Sequence, residues 1–237
     1  MKNTEKANKE KKEEPKTKNT KSEISSVHNL IIVDESGSMD SCINATLSGF
    51  NETLSTILNS VKKDPDRKQY ISFATFNSER LKTHCWRAEV SSVKKLKASD
   101  YNPSGLTPLF DAIGTCVNRL HYEIKSEKVP DHKIVVLVTI ITDGLENDSR
   151  EYNLGDIRSL INKLSGKNWI FTYLGANHIV EEVALKMSIN NYESFVSDED
   201  GSKKMYQNLN EKRERFYKKI AENEKVDNLK EGFFKKE

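Results

Sequence analysis

The segment Ile134 to Thr142 reads Ile-Val-Val-Leu-Val-Thr-Ile-Ile-Thr, nine residues that are almost all apolar and mostly β-branched. A strand with one solvated face alternates apolar and polar residues, so a continuous run of this length fits a strand covered on both faces, the central position of a parallel sheet. Parallel neighbours need crossover connections, and the flanking sequence supplies them as short apolar runs alternating with stretches of helical period.

Asn29 to Val33 reads as the first strand, followed by Ile43, Leu47, Phe50, Leu54, Ile57, Leu58 and Val61 on one helical face. Gln69 to Phe76 and Leu81 to Val90 read as two strands joined by Asn77-Ser78-Glu79-Arg80, a hairpin length that adds one antiparallel edge strand. Thr107-Pro108 opens the next helix, with Thr as the expected cap and Pro at the first helical position. Ile157 to Leu164 (helix), Trp169 to Leu174 (strand), Ile179 to Met187 (helix) and Tyr192 to Val196 (strand) complete the pattern. The predicted fold is α/β, a doubly wound, mostly parallel six-stranded Rossmann-like sheet with one antiparallel edge strand. Residues 28–200 form that domain. Residues 1–27 are expected to be a disordered Lys/Glu-rich tail, 201–223 an amphipathic helix able to dock on the domain, and 224–237 a flexible tail.

Of 38 Lys+Arg and 36 Asp+Glu in the 237 residues, the middle 29–201 carries 19 and 24, so the fold itself is acidic between basic ends. This argues against a nucleic-acid-binding core, and the Lys-rich N-terminal segment has interleaved Glu and no aromatics, which suits a solubilising tail better than a phosphate-binding arm. Cys42, Cys85 and Cys116 are too scattered for a disulfide framework or a thiolate zinc site, and His28, His84, His121, His132 and His178 show no ligand spacing. No apolar region follows the N-terminal lysines, and no apolar run approaches the ~20 residues that span a bilayer, so the expected location is cytoplasmic, with no membrane association.

Open α/β sheets bind ligands beyond the carboxyl ends of their strands. Three stretches there carry oxygen donors: Asp34-Glu35-Ser36-Gly37-Ser38-Met39 after the first strand, Ser104-Gly105-Leu106-Thr107-Pro108-Leu109 before a helix, and Thr142-Asp143-Gly144 after the central strand. Each alone is ordinary turn or cap chemistry. Together they offer two carboxylates and three hydroxyls without imidazole or thiolate, a set suited to Mg²⁺, with Mn²⁺ or Ca²⁺ as alternatives, rather than zinc.

At these residues the sequence resembles the von Willebrand factor type A (vWA) domain family, whose metal-ion-dependent adhesion site is written DxSxS, then Thr, then Asp. Asp34, Ser36, Ser38, Thr107 and Asp143 match in order and spacing, and the surrounding strings look like those of standalone bacterial intracellular members. DxSxS alone is a weak signal; three loops in register are a specific one. The resemblance implies a divalent-cation-dependent protein-binding module and no enzymatic activity. In it Ser36, Ser38 and Thr107 contact the ion, Asp34 and Asp143 act mainly through bound water, and an Asp or Glu of a partner protein completes the shell. The partners it suggests are an AAA+ ATPase or another intracellular assembly.

Two other readings compete. A haloacid-dehalogenase-type phosphatase also places Asp at the end of its first strand but needs a second acid two residues on, where this chain has Ser36. A purely structural metal would tie the loops together without binding anything else. Glu35, Asp40, Glu146 and Asp148 read either as tuners of the site or as solvated loop charges, and Asp111 as a favourable charge at a helix start.

Overall fold

The computed structural model describes residues 24–230, 232 and 233. Six strands, β1 (Ser26–Asp34), β2 (Lys68–Asn77), β3 (Arg80–Glu89), β4 (Ile134–Thr142), β5 (Trp169–Gly175) and β6 (Asn191–Ser194), form one sheet in the order β3-β2-β1-β4-β5-β6. Only β3 runs antiparallel, paired to β2 at the edge, as the hairpin length predicted.

The central strand is covered on both faces. Val135, Leu137 and Ile141 point into a core shared with α1 (Ile43–Lys63), α5 (Glu199–Ala221) and the short α6 (Val226–Lys230). Val136, Val138 and Ile140 point to the other side, against α2 (Leu109–Ser126), α3 (Leu154–Ser165) and α4 (Val180–Lys186). Each such Val, Leu or Ile contributes about 1.5–3 kcal/mol through its removal from water, so the run that defined the fold in sequence also anchors both of its layers.

Thr139 breaks the apolar run for a reason found on α5. Arg213, fully buried on that helix, donates from Nη2 to Thr139 Oγ1 (2.9 Å) and from Nη1 to Asn29 Oδ1 (3.0 Å), and Tyr217 Oη donates to the same Asn29 oxygen (2.6 Å). Farther along, Thr53 Oγ1 of α1 donates to Asn210 Oδ1 (2.8 Å). The ring of Tyr206 lies over Gly49, where an added Cβ would stand 2.1 Å from Tyr206 Cγ. Helix α5 is thus an integral layer.

Several boundaries differ from the sequence reading. β1 begins at Ser26 rather than Asn29, because Ser26, Val27 and His28 already pair with β2 on one side and β4 on the other. The expected tail of residues 1–27 therefore contributes its last residues to the sheet, while residues 1–23 lie outside the described residues. α5 starts at Glu199 rather than after Gly201, since the Asp198 side chain caps it by accepting from Gly201 N (2.7 Å). Residues 224–237 were expected to be a flexible tail, yet α6 forms there and buries Leu229, with Phe233 buried beyond it; residues 231 and 234–237 are not described. No helix among the described residues is long and apolar enough to cross a membrane.

Candidate metal centre

The strand order reverses between β1 and β4: β1 leads into α1 on one face and β4 into α3 on the other, which opens a crevice between their carboxyl ends. Val33 lies opposite Ile141, so Asp34 and Asp143 leave the sheet at the same edge.

Asp34 is fully buried. Its Oδ1 accepts from Ser36 N (2.8 Å) and its Oδ2 from Thr142 Oγ1 (2.6 Å). The Ser36 and Ser38 hydroxyl oxygens are 3.2 Å apart, and Ser38 Oγ donates to Asp143 Oδ1 (2.5 Å). The other Asp143 oxygen accepts from Ser197 Oγ (2.8 Å), in the loop between β6 and α5.

Thr107 arrives from a separate loop. Contrary to expectation it does not cap α2: the helix starts at Leu109, Pro108 occupies the cap, and no side-chain cap bond forms. The local preference for a Thr cap is overridden because Thr107 is held by the neighbouring loop, its N donating to Asn147 Oδ1 (2.7 Å) and its O accepting from Asn147 N (3.1 Å). Its hydroxyl turns toward Gly144 instead. A Cβ built on Gly144 would lie 3.2 Å from Thr107 Oγ1 and 3.9 Å from both Asp34 Oδ2 and Ser38 Oγ. Oxygens from the first and second loops therefore meet at one point beside Gly144 of the third, where an added side chain would be crowded. All five residues singled out in the sequence come together here.

The donor set fits a hard cation. Burial, reinforced by the neighbouring Asp143 charge, pushes the Asp34 carboxyl up to about 6 from 3.8, even though the bonds from Thr142 and Ser36 pull it down. Among the described residues no three His, Cys, Asp or Glu side chains converge as a metal-binding group, so any ion here must rely on hydroxyl oxygens as well as the two carboxylates, which disfavours a soft or borderline metal.

A supporting shell was invisible in the sequence. Glu35, read as a tuning or solvated charge, is completely buried and accepts from Thr75 Oγ1 (2.5 Å), Asn102 N (2.7 Å) and Arg80 Nη2 (3.4 Å). Its carbonyl accepts from Ser104 N (2.9 Å), Tyr101 Oη donates to the Asp34 carbonyl (2.6 Å), and Gly37 N donates to the Gly105 carbonyl (3.1 Å). The first and second loops are thereby joined. Gly105 is required in its turn: its φ is +70°, and an added Cβ would stand 2.3 Å from Ser78 Oγ.

Asp111 does more than sit at a helix start: its carboxylate accepts from the backbone N of Arg150, Glu151 and Tyr152 (2.8, 2.9 and 2.8 Å). Glu146 is likewise structural, accepting from Phe110 N, Asp148 N and Ser149 N. Asp40 is exposed and Asp148 half-buried. Ser197 and Thr142 were missed as partners of the two acids; Thr142, adjacent to Asp143, carried the only local hint.

A sequence model described as the von Willebrand factor type A domain matches residues 30–212. Among solved structures, the chain is similar to a von Willebrand factor type A protein from Catenulispora acidiphila, with TM-score 0.55 and 14% identity over 80% of this chain and 43% of that one. It is also similar to proximal thread matrix protein 1 from the mussel byssus (TM-score 0.55, 14% identity, 80% and 46% coverage). A third similar structure is the SpRpn10 VWA domain (TM-score 0.52, 10% identity, 76% and 93% coverage). The chain spans less than half the length of the first two, and identities this low establish the fold alone. No curated protein matches.

Proposed function

The chain belongs to the von Willebrand factor type A domain family, and on that premise we propose that it is a divalent-cation-dependent protein-binding module. Asp34, Ser36, Ser38, Thr107 and Asp143 would hold the ion, with Mg²⁺ the expected occupant and Mn²⁺ or Ca²⁺ able to replace it. When bound, the ion supplies an electrophilic position for a carboxylate oxygen, so the ligand is an Asp or Glu of another protein. The convergence of Asp34, Ser38 and Thr107 oxygens beside Gly144 carries this reading.

The chain's own residues perform the rest. Ser38 and Ser197 orient Asp143, Ser36 N and Thr142 orient Asp34, and Glu35 with Tyr101 holds the second loop against the first. This hydrogen-bonded shell speaks against a metal that only ties loops together, because the loops are already joined by protein groups. The phosphatase reading is disfavoured by Ser36 in the place of its second acid, with the adjacent Glu35 buried and engaged by Thr75 and Asn102. Three free cysteines suit a cytoplasmic setting.

The test is calorimetric titration of EDTA-treated protein with Mg²⁺, Mn²⁺ and Ca²⁺, repeated on Ser36→Ala and Asp143→Ala. One saturable site lost in both variants is expected; folded wild type that binds none of the three ions refutes the proposal.

A further inference from the structure

Hydroxyls on helices ordinarily donate to a carbonyl one turn back, and Ser48, Thr53 and Ser55 of α1 do so (2.8, 2.9 and 3.0 Å). Thr46 of α1 and Ser202 of α5 do not. Each is 1% exposed, and neither hydroxyl meets a hydrogen-bond partner in the protein. Tyr206 Oη is a third such oxygen. Its ring, one turn after Ser202, lies across Gly49, about one turn after Thr46, and is likewise shut off from solvent. Unmatched buried hydroxyls are costly, and three of them on two packed helices call for a common partner.

Two further groups complete the neighbourhood. Tyr101 Oη gives its proton to the Asp34 carbonyl (2.6 Å) and keeps lone pairs with which to accept, and Cys42 Sγ, one turn before Thr46, turns back to the Met39 carbonyl (3.3 Å). Burial raises the Cys42 thiol above its ordinary range, and the hydroxyls of Ser202 and Thr46 oppose the shift. Burial likewise raises the Tyr101 and Tyr206 phenols, with the Thr46 hydroxyl opposing it in each. Thr46 is thus close to three of these groups and Ser202 to Cys42, yet the orphaned oxygens are too far apart or too poorly aligned to bond directly. None of the five side chains carries charge, and together they offer protons as well as lone pairs. Those are the requirements of neutral water rather than of a cation.

We propose that Thr46, Tyr101, Ser202 and Tyr206 enclose a bound water molecule, a joint between α1, α5 and the loop that runs on to Thr107. The protons balance: the water accepts from Tyr206 Oη and Thr46 Oγ1 and donates to Tyr101 Oη and Ser202 Oγ, whose own proton turns to Cys42 Sγ. One molecule so serves all three hydroxyls, with the four bonds an internal water can make. None of the four residues is a proposed cation ligand, so the inference stands apart from the metal reading.

The sign of a single deletion decides between a held hydroxyl and an orphan. Tyr206→Phe in the full chain removes a group that the water holds, so its unfolding equilibrium constant in urea should rise about tenfold, and likewise in Thr46→Val. In the double variant the rise should fall short of the product of the two, since both act through one molecule. A crystal structure of the wild type should show a peak within bonding distance of all four oxygens, and deuteron relaxation dispersion should count one fewer long-lived water in the double variant. A hydroxyl buried without any partner would leave Tyr206→Phe as stable as wild type or more so, and that result overturns the proposal. Density that bonds Tyr206 Oη directly to Thr46 or to another protein group overturns it too. A peak that rubidium soaking strengthens assigns the site to a monovalent cation instead of water. Wild-type density decides even where a variant fails to fold.

Discussion

Replacing Asp34 by Asn separates what the residue does for binding from what it costs the fold. The carboxyl is completely buried and its pKa stands at about 6 against 3.8. A group whose folded pKa is raised contributes stability that is fully present below the unfolded value and lost as pH rises through the folded one. At pH 7.5 the metal-free fold therefore carries a penalty of about 2 pKa units, or roughly 3 kcal/mol. The amide removes the charge and can keep both contacts: its oxygen accepts from Ser36 N, and its NH₂ donates to Thr142 Oγ1, which can turn its own proton to the Gly144 carbonyl at 3.1 Å. Allowing about 1 kcal/mol for weaker, uncharged hydrogen bonds leaves Asp34→Asn about 2 kcal/mol more stable than wild type in EDTA. For a domain of this size that is a Tm higher by roughly 4–8 °C. At pH 4.5 the difference should shrink toward zero, since wild type is then largely protonated. With Mg²⁺ at 100 times its Kd, wild type gains about 2.7 kcal/mol and the variant gains nothing, so their order reverses. Thermal melts at pH 4.5 and 7.5, with EDTA and with Mg²⁺, contain the whole test. A metal-free variant less stable than wild type at pH 7.5, or a difference independent of pH, refutes the reasoning.

Thr107→Val keeps the shape and removes a hydroxyl that does not cap its helix; stability should change by less than about 1 kcal/mol while calorimetry shows Mg²⁺ affinity down tenfold or more. Gly105→Ala forces a side chain to φ +70° and to 2.3 Å from Ser78 Oγ, and should cost about 2 kcal/mol or more in urea unfolding. Burial, helped by the Arg87 charge, lowers the His28 pKa to about 3, so the folded ring stays neutral; its stability contribution is intact above 6.5 and falls by about 1.4 kcal/mol per pH unit between 6.5 and 3. His28→Phe, which can keep the stack on Tyr70 at 4.8 Å, should flatten that part of the acid limb, as urea midpoints from pH 4 to 8 will show.

The sheet was legible because a strand covered on both faces writes itself as the uninterrupted run 134–142, and a hairpin as four turn residues between two strands. The five oxygen donors were legible because each sits at a strand or helix end inside a short string. What failed to show were bonds between distant positions. The partners of Glu35 come from residues 75, 80 and 102, and nothing local distinguishes its buried carboxylate from a solvated one. The polar residues Ser26 and His28 hid the start of β1, because strand pairing on both sides decided the matter rather than their hydropathy. α6 has five residues, too few for a helical period to register. Thr107 followed a local capping rule in sequence and a tertiary contact in the fold.

Arg213 has a consequence for the order of events during synthesis. Asn29 and Thr139, on the two strands that carry the acids, point polar atoms into an apolar layer and receive their donors only from a helix made more than 70 residues after Thr139. A chain ending at residue 200 would hold every proposed metal ligand and still leave both groups unmatched, at about 1–3 kcal/mol each, with the layer over α1 missing. The growing polypeptide therefore cannot close this face until α5 has been made and has docked, and cation capture should follow that step rather than the completion of the ligand set.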